Sequence, residues 1–185
     1  MLLISRYFAR MKSKSIRPSR KPASKIIWSV IGAFIGIYVM SIFSNSFSAK
    51  DGFFLLGSFG ASAVLIYGAP EVPFSQPRNL IGGHVISAFI SVFLVKNFSN
   101  MLSLELLCAF SVALSVLAMH LTLTIHPPGG ATALIYVIGS DKIQSLGWLY
   151  PLTPIALGTA MMLSIALLVN NMSSNSKRHY PMYWY

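Results

Sequence analysis

Apolar runs of membrane-crossing length dominate this chain: Ile26–Phe43, Phe53–Ala69, Leu80–Val95, Leu102–Leu121 and Pro154–Val169. A helix needs about 20 apolar residues to cross the hydrocarbon core of a bilayer. Hydrophobic types make up 55% of the 185 residues and charged types 10%. Soluble domains carry about a quarter charged residues, and a chain this short cannot hide so much apolar surface in one water-facing globule. The expected fold is all-α, a polytopic transmembrane helical bundle with four to six membrane segments.

The net charge of +10 invites a nucleic-acid reading, but its distribution argues against one. Arg6, Arg10, Lys12, Lys14, Arg17, Arg20, Lys21 and Lys25 all precede the first apolar run, with no acid among them. A basic cluster beside a span marks a cytoplasmic flank, held by insertion bias and anionic lipid. A cleaved targeting peptide has a similar composition. Lys177 and Arg178 make the other end basic as well. Both termini are therefore expected in the cytoplasm, in a bacterial inner membrane, and the number of crossings is even: four if two segments re-enter, six if all cross. The chain divides into a basic tail over 1–25, a transmembrane domain over 26–170 and a short basic and aromatic tail over 171–185. The lipid bilayer is its surrounding partner, nucleic acid is not one, and a chain this small is expected to form a homo-oligomer to enclose a path.

Cys108 is the single cysteine, so an intrachain disulfide and a cysteine metal cluster are excluded. Small and polar residues recur at helical spacing: Gly32 and Gly36; His84, Ser87 and Ser91; Cys108, Ser111, Ser115 and Thr122. Each stripe suits close helix packing. The stripe containing His84 also suits a polar path, because ionisable groups inside a membrane are costly and usually functional.

A short match links two parts of the chain. Gly60-Ala61-Ser62-Ala63-Val64-Leu65 is echoed by Gly130-Ala131-Thr132-Ala133-Leu134-Ile135. Each copy lies between two apolar helices. Helix, broken Gly-Ala helix, helix, inserted twice in opposite senses, is the inverted-repeat plan of many transporters.

The second copy is preceded by His126-Pro127-Pro128-Gly129. Two prolines remove donors and stop a helix, and the glycines leave the backbone uncovered. The helix that follows would begin with unpartnered amides, which attract anions. A plain surface turn is the alternative. Gly129, Gly130, Ala131 and Thr132, with Gly60, Ala61 and Ser62, are thus candidate anion contacts. Pro70, Pro77, Pro127 and Pro128 are read as structural. Glu71 and Arg78 either brace their proline-rich loop as a pair, or Arg78 holds an anion by its guanidinium. His84 and His126 are candidates to tune the anion's protonation. Glu105 is read as an interface residue. The histidines, His120 included, show no i, i+4 pair, so no metal site, catalytic residue or cofactor is expected.

Two blocks resemble the HPP family of bacterial and plastid integral membrane proteins. One runs from Gly57 through Gln76-Pro77-Arg78-Asn79 and Gly82-Gly83-His84 to Ser91; the other is Met119–Leu134, with the His-Pro-Pro triplet and Gly-Gly-Ala-Thr-Ala. The resemblance covers about Ser24–Asn170 and leaves the leader and tail outside. It implies a four-span domain and, for plastid and cyanobacterial members, nitrite transport. Some relatives add regulatory CBS domains, for which these residues leave no stretch. The implied function is a transporter or channel for a small anion, nitrite. The competing reading is a membrane sensor or assembly subunit with a purely structural His-Pro-Pro turn.

Overall fold

A computed structural model describes residues 7–11, 19–45, 47, 49–173 and 178–185. Arg6, Lys12, Lys14 and Arg17 of the basic leader and Lys177 of the tail lie outside the described residues. Among the described residues there are helices and no strand.

Six apolar helices build the bundle: α1 (Ala23–Ser44), α2 (Ala49–Gly68), α3 (Pro77–Phe98), α4 (Leu104–Leu121), α5 (Pro128–Ile138) and α6 (Leu157–Asn171). α1, α3, α4 and the stretch Gly147–Asn171, which contains α6, are long and apolar enough to cross a membrane. Leu55–Gly68 within α2 and Pro128–Ile138 are shorter apolar helices.

Local chemistry sets the boundaries. α3 and α5 each start on a proline, which loses no hydrogen bond at a first helical position and arrives with its φ already suited to the helix. Ser103 caps α4 by accepting the Leu106 amide at 3.4 Å, and Glu105 lies in the first turn, the favourable end of the helix dipole for an acid. The stretch leading into α6 is interrupted at Thr153, whose backbone is extended (φ −137°, ψ 116°) just before Pro154.

The hydrogen bonds sort the helix ends into two groups. Lys21, just before α1, reaches Gly68 O at the end of α2. Arg178 reaches Lys25 O, Tyr67 O and Asn170. Arg78 in the first turn of α3 donates to Thr122 O, just past α4. These ends, with the start of α5, form one side, called here the near end. At the far end, Asp51 in the first turn of α2 accepts from the amide and hydroxyl of Ser140, beyond α5. The start of α1 and the tail from Arg178 onward therefore share the near end.

α2 and α5 run antiparallel. Ser58 of α2 meets Thr132 of α5, Ser62 meets His126 just before α5, and Asp51 meets Ser140 just after it. This is the arrangement an inverted repeat requires of its two central helices.

Two expectations are corrected here. The Gly57–Leu65 segment is not broken: it lies inside the continuous helix α2. Without proline nothing stops that helix, and Gly57 and Gly60 face open space. Glu71 and Arg78 do not brace each other either. Glu71 pairs with Lys21 at 2.8 Å, while Arg78 spends its guanidinium on Thr122 O at 2.7 Å.

The core is assembled from Met40, Leu55, Phe59, Tyr67, Leu80, Tyr136 and Met162, among others. Gly32 and Gly36 are buried because the Tyr67 ring lies against them. A Cβ on Gly32 would fall 2.8 Å from Tyr67 Cδ1. The small stripe of α1 thus serves helix packing.

Candidate functional site

Four polar side chains from three helices and one loop converge below the near end. Ser62 Oγ lies 2.7 Å from His84 Nε2 and 2.9 Å from His126 Nε2. Thr132 Oγ1 lies 2.6 Å from His84 Nδ1. The two imidazole centroids are 4.9 Å apart. Ser62, His84, His126 and Thr132 are all 0% exposed. His84 follows the start of α3 by seven residues, which places it about 10 Å into the bundle at 1.5 Å per residue.

Ser62 and Thr132 are the matching positions of the two Gly-Ala segments, and each holds one nitrogen of the same ring. Ser58 extends the cluster: its hydroxyl lies 2.8 Å from Thr132 Oγ1 and 3.2 Å from Pro128 O. Tyr150, fully buried ahead of α6, donates to Thr132 O at 2.9 Å.

The bonding partners fix the proton positions. His126 Nδ1 is 2.7 Å from Phe74 O; a carbonyl only accepts, so Nδ1 carries a hydrogen. In neutral His126, Nε2 is then an acceptor and takes the Ser62 hydroxyl proton. Ser62 Oγ in turn accepts from His84 Nε2–H. His84 Nδ1 is left as an acceptor for Thr132, and Thr132 accepts from Ser58. One directed chain results: Ser58, Thr132, His84, Ser62, His126, Phe74 O. With both imidazoles neutral, every ring nitrogen is bonded. Buried polar networks of this kind hold a unique arrangement only when all members are satisfied.

Close backbone contact seats the His-Pro-Pro segment. A Cβ on Gly83 would lie 2.5 Å from His126 Cβ and 2.8 Å from Thr124 O. A Cβ on Gly129 would lie 2.7 Å from Gly83 O. α3 and the start of α5 thus touch through bare backbone, which only glycine permits. Asn79 Nδ2 adds a bond to Ile125 O at 2.8 Å. Against Gly129, the hydroxyl of Ser87 is buried with no partner; the Ser111 hydroxyl on α4 is likewise buried and unpartnered.

The other site candidates separate clearly. Gly60 and Ala61 lie on the partly and fully exposed side of α2, away from the histidines. Gly129 and Gly130 start α5, but their amides bond to His126 O at 2.8 Å and Pro127 O at 3.1 Å. The expected row of free amides at two helix starts is therefore overturned twice. One segment is mid-helix, and the prolines of the other supply carbonyls that satisfy its glycines. Ala131 is half-buried beside them. Arg78 sits at the near end, outside the cluster. Pro70 and Pro77 frame the near-end loop, where Gln76 Nε2 donates to Pro70 O at 2.9 Å. His120 is exposed on α4. Among the described residues no three metal-binding side chains come together.

Some contributors escaped sequence reasoning. Tyr150 and Asp51 sit in stretches without a motif. Arg178, read only as tail charge, is 5% exposed; its guanidinium binds Lys25 O, Ser29, Tyr67 O and Asn170. Ser58, beside the Gly-Ala copy and one turn before Ser62, was the most findable.

Comparison with known proteins agrees with this architecture. Two transmembrane proteins of Dictyostelium discoideum are 42% identical over 186 residues and 40% identical over 189 residues. Both alignments cover 100% of this chain, which spans 59% and 65% of the relatives' own lengths. Neither lends support to a bacterial membrane. No solved structure matches. The family described as "HPP, transmembrane region" matches residues 18–181, taking in part of the basic leader and the buried Arg178 segment. This chain is a member of the HPP transmembrane family of integral membrane proteins.

Proposed function

We propose that this protein is a transporter or channel for a small inorganic anion, with nitrite as its substrate. The observation that carries the reading is the fully buried Ser62, His84, His126, Thr132 cluster inside an apolar bundle. Polar groups at membrane depth are costly, and ionisable ones there usually mark a solute or proton pathway. Side chains, rather than helix-start amides, make the contacts in this reading. The unpaired hydroxyl of Ser87, beside Gly129, supplies a further donor; an unsatisfied buried hydroxyl costs about 1–3 kcal/mol, which a bound anion would relieve. The near end, with Lys21, Lys25 and Arg178, faces the cytoplasm, as basic flanks do. The pairing of Ser62 with Thr132 on antiparallel helices fits a site between two inverted halves.

Nitrite uptake into proteoliposomes tests this. Wild-type protein is expected to raise uptake well above protein-free vesicles, and His84→Ala to reduce the protein-dependent part at least about tenfold, as loss of about 1.4 kcal/mol or more of binding or barrier energy gives. Absence of protein-dependent flux sinks the transporter reading and leaves the sensor or assembly role.

A further inference from the structure

An anion that enters this cluster needs a compensating positive charge, because burying an uncompensated charge is among the costliest events in a protein. The described structure offers no fixed cation there. Arg78 is turned to Thr122 O at the near end. The buried guanidinium of Arg178 is bound to Lys25 O, Ser29, Tyr67 O and Asn170. The buried carboxylate of Asp51 is turned to Ser140. The groups facing the two imidazoles are neutral: Ser58, Ser62 and the Phe59 ring from α2, Thr132 from α5, and Phe74 O from the near-end loop. Tyr150 approaches from the α6 side and is engaged with Thr132 O. Its ring packs on Tyr136, whose hydroxyl donates to Gln144 O.

We infer that the Ser62-bridged pair His84–His126 takes up one proton with each anion, so that anion and proton cross together without net charge movement. This rests on the transporter reading above and names its coupling ion.

The geometry provides for both protonation states. In the neutral state the Ser62 hydroxyl points to His126 Nε2. When a hydronium ion delivers its proton, an O–H bond breaks, water is left, and an N–H bond forms from the lone pair of His126 Nε2. Ser62 Oγ then faces two N–H donors, one from each ring, at 2.7 and 2.9 Å. Its own hydrogen has a second acceptor one turn back, Ser58 O at 3.4 Å. Uptake of one proton at His126, accommodated by the rotation of one hydroxyl, thus converts the chain from neutral to cationic, with each ring nitrogen still bonded. The unpartnered hydroxyl of Ser87 lies one turn along α3 from His84, against Gly129. On release the N–H bond breaks, the proton returns to water and the hydroxyl turns back to His126.

The test uses the full chain in proteoliposomes that hold a pH-sensitive dye, with nitrite as the probe and the membrane potential clamped by potassium and valinomycin. Protein-free vesicles report the spontaneous permeation of nitrous acid. The expected result is one proton per nitrite taken up above that background, with a rate that changes less than about twofold when the potential is stepped by 100 mV, a step worth about 2.3 kcal/mol on a single moving charge. His84→Gln and His126→Gln are expected to lose uptake and acidification together. Nitrite uptake driven by the imposed potential without lumenal acidification overturns the coupling and leaves the transporter reading standing. Either variant taking up nitrite with wild-type acidification overturns the assignment to the pair. No protein-dependent uptake overturns both readings. The wild-type stoichiometry decides the question even if a variant fails to fold.

Discussion

The two Gly-Ala segments share six positions of similar sequence and meet opposite fates. In α2 the segment is one stretch of an unbroken helix, with Gly60 facing open space. In α5 it opens a helix behind two prolines and Gly129, the glycine just ahead of the matched positions, which is pressed against Gly83 O. Yet the hydroxyl at the matching position, Ser62 or Thr132, ends up on the same imidazole from opposite sides. The difference teaches that the buried polar network tracks the hydroxyls, while the glycines answer to whatever backbone approaches them.

The largest test of that contrast compares Gly129→Leu with Gly60→Leu. The first drives a side chain into the backbone of α3 and is expected to cost about 3 kcal/mol or more, the upper range for overpacking. The second adds a side chain where there is room and a better helix former, so less than about 1 kcal/mol is expected. Recovery of monodisperse protein after graded heating in detergent measures both, and equal losses would break the comparison. Next come Ser62→Ala and Thr132→Val. Ser62→Ala leaves two imidazole nitrogens unpaired in the interior, one on each ring, and Thr132→Val leaves one, at about 1–3 kcal/mol for each unpaired group. The double variant is expected to lose less than the two single losses combined, because both act on His84. Unfolding curves of the four proteins provide the cycle, and strict additivity would show that the two halves do not share the ring.

The smallest effect lies just past α2, at the Lys21–Glu71 pair. Burial alone would raise the Glu71 carboxyl, but its hydrogen bond to Lys21, its own backbone bond and the charges of Lys21 and Lys25 hold it below the usual range. A carboxyl lowered by folding stabilises the fold above its unfolded pKa, and that contribution fades as pH falls through the folded value. Both partners are more than 40% exposed, so the contribution is small, about 0.2–1 kcal/mol. Glu71→Gln is expected to lower the melting temperature slightly at neutral pH in low salt. The difference from wild type should vanish in acid and shrink in high salt.

Much of this organisation was legible in the chain. Apolar length and the basic flanks foretold a helical membrane bundle with both described ends on one side, because bilayer thickness acts on residue count directly. His84 and His126 were named as ionisable groups in an apolar setting, and Ser62 and Thr132 as members of two expected helix starts; the structure brings all four together, but through the hydroxyls of Ser62 and Thr132 rather than through amides. Gly60, Ala61 and Arg78 were named with them and lie elsewhere. The reason is physical: a glycine or an exposed-looking arginine has no intrinsic target, and its role depends on which neighbour arrives. For Arg78 that neighbour was a helix-end carbonyl. Free amides were expected after the prolines because sequence does not reveal that the carbonyls of His126 and Pro127 curl back onto Gly129 and Gly130. Tyr150 and Asp51 carry no local pattern, since their partners are set by how α5 and α6 dock.

Arg178 bears on the order in which the molecule can be finished. It lies beyond the last helix, and its guanidinium ties the beginning of α1 to the ends of α2 and α6. During synthesis the first helices enter the membrane long before this residue exists. Until it emerges, α1 and α6 have their packing contact but not this polar tie. Tyr180 then bonds Ser75 O and the Met182 amide bonds Gln76 Oε1, in the loop whose Phe74 carbonyl holds His126. The stretch from Arg178 to Met182, made after all six helices, therefore steadies the loop above the histidine pair, so the buried cluster is fully braced only after α6 has been made.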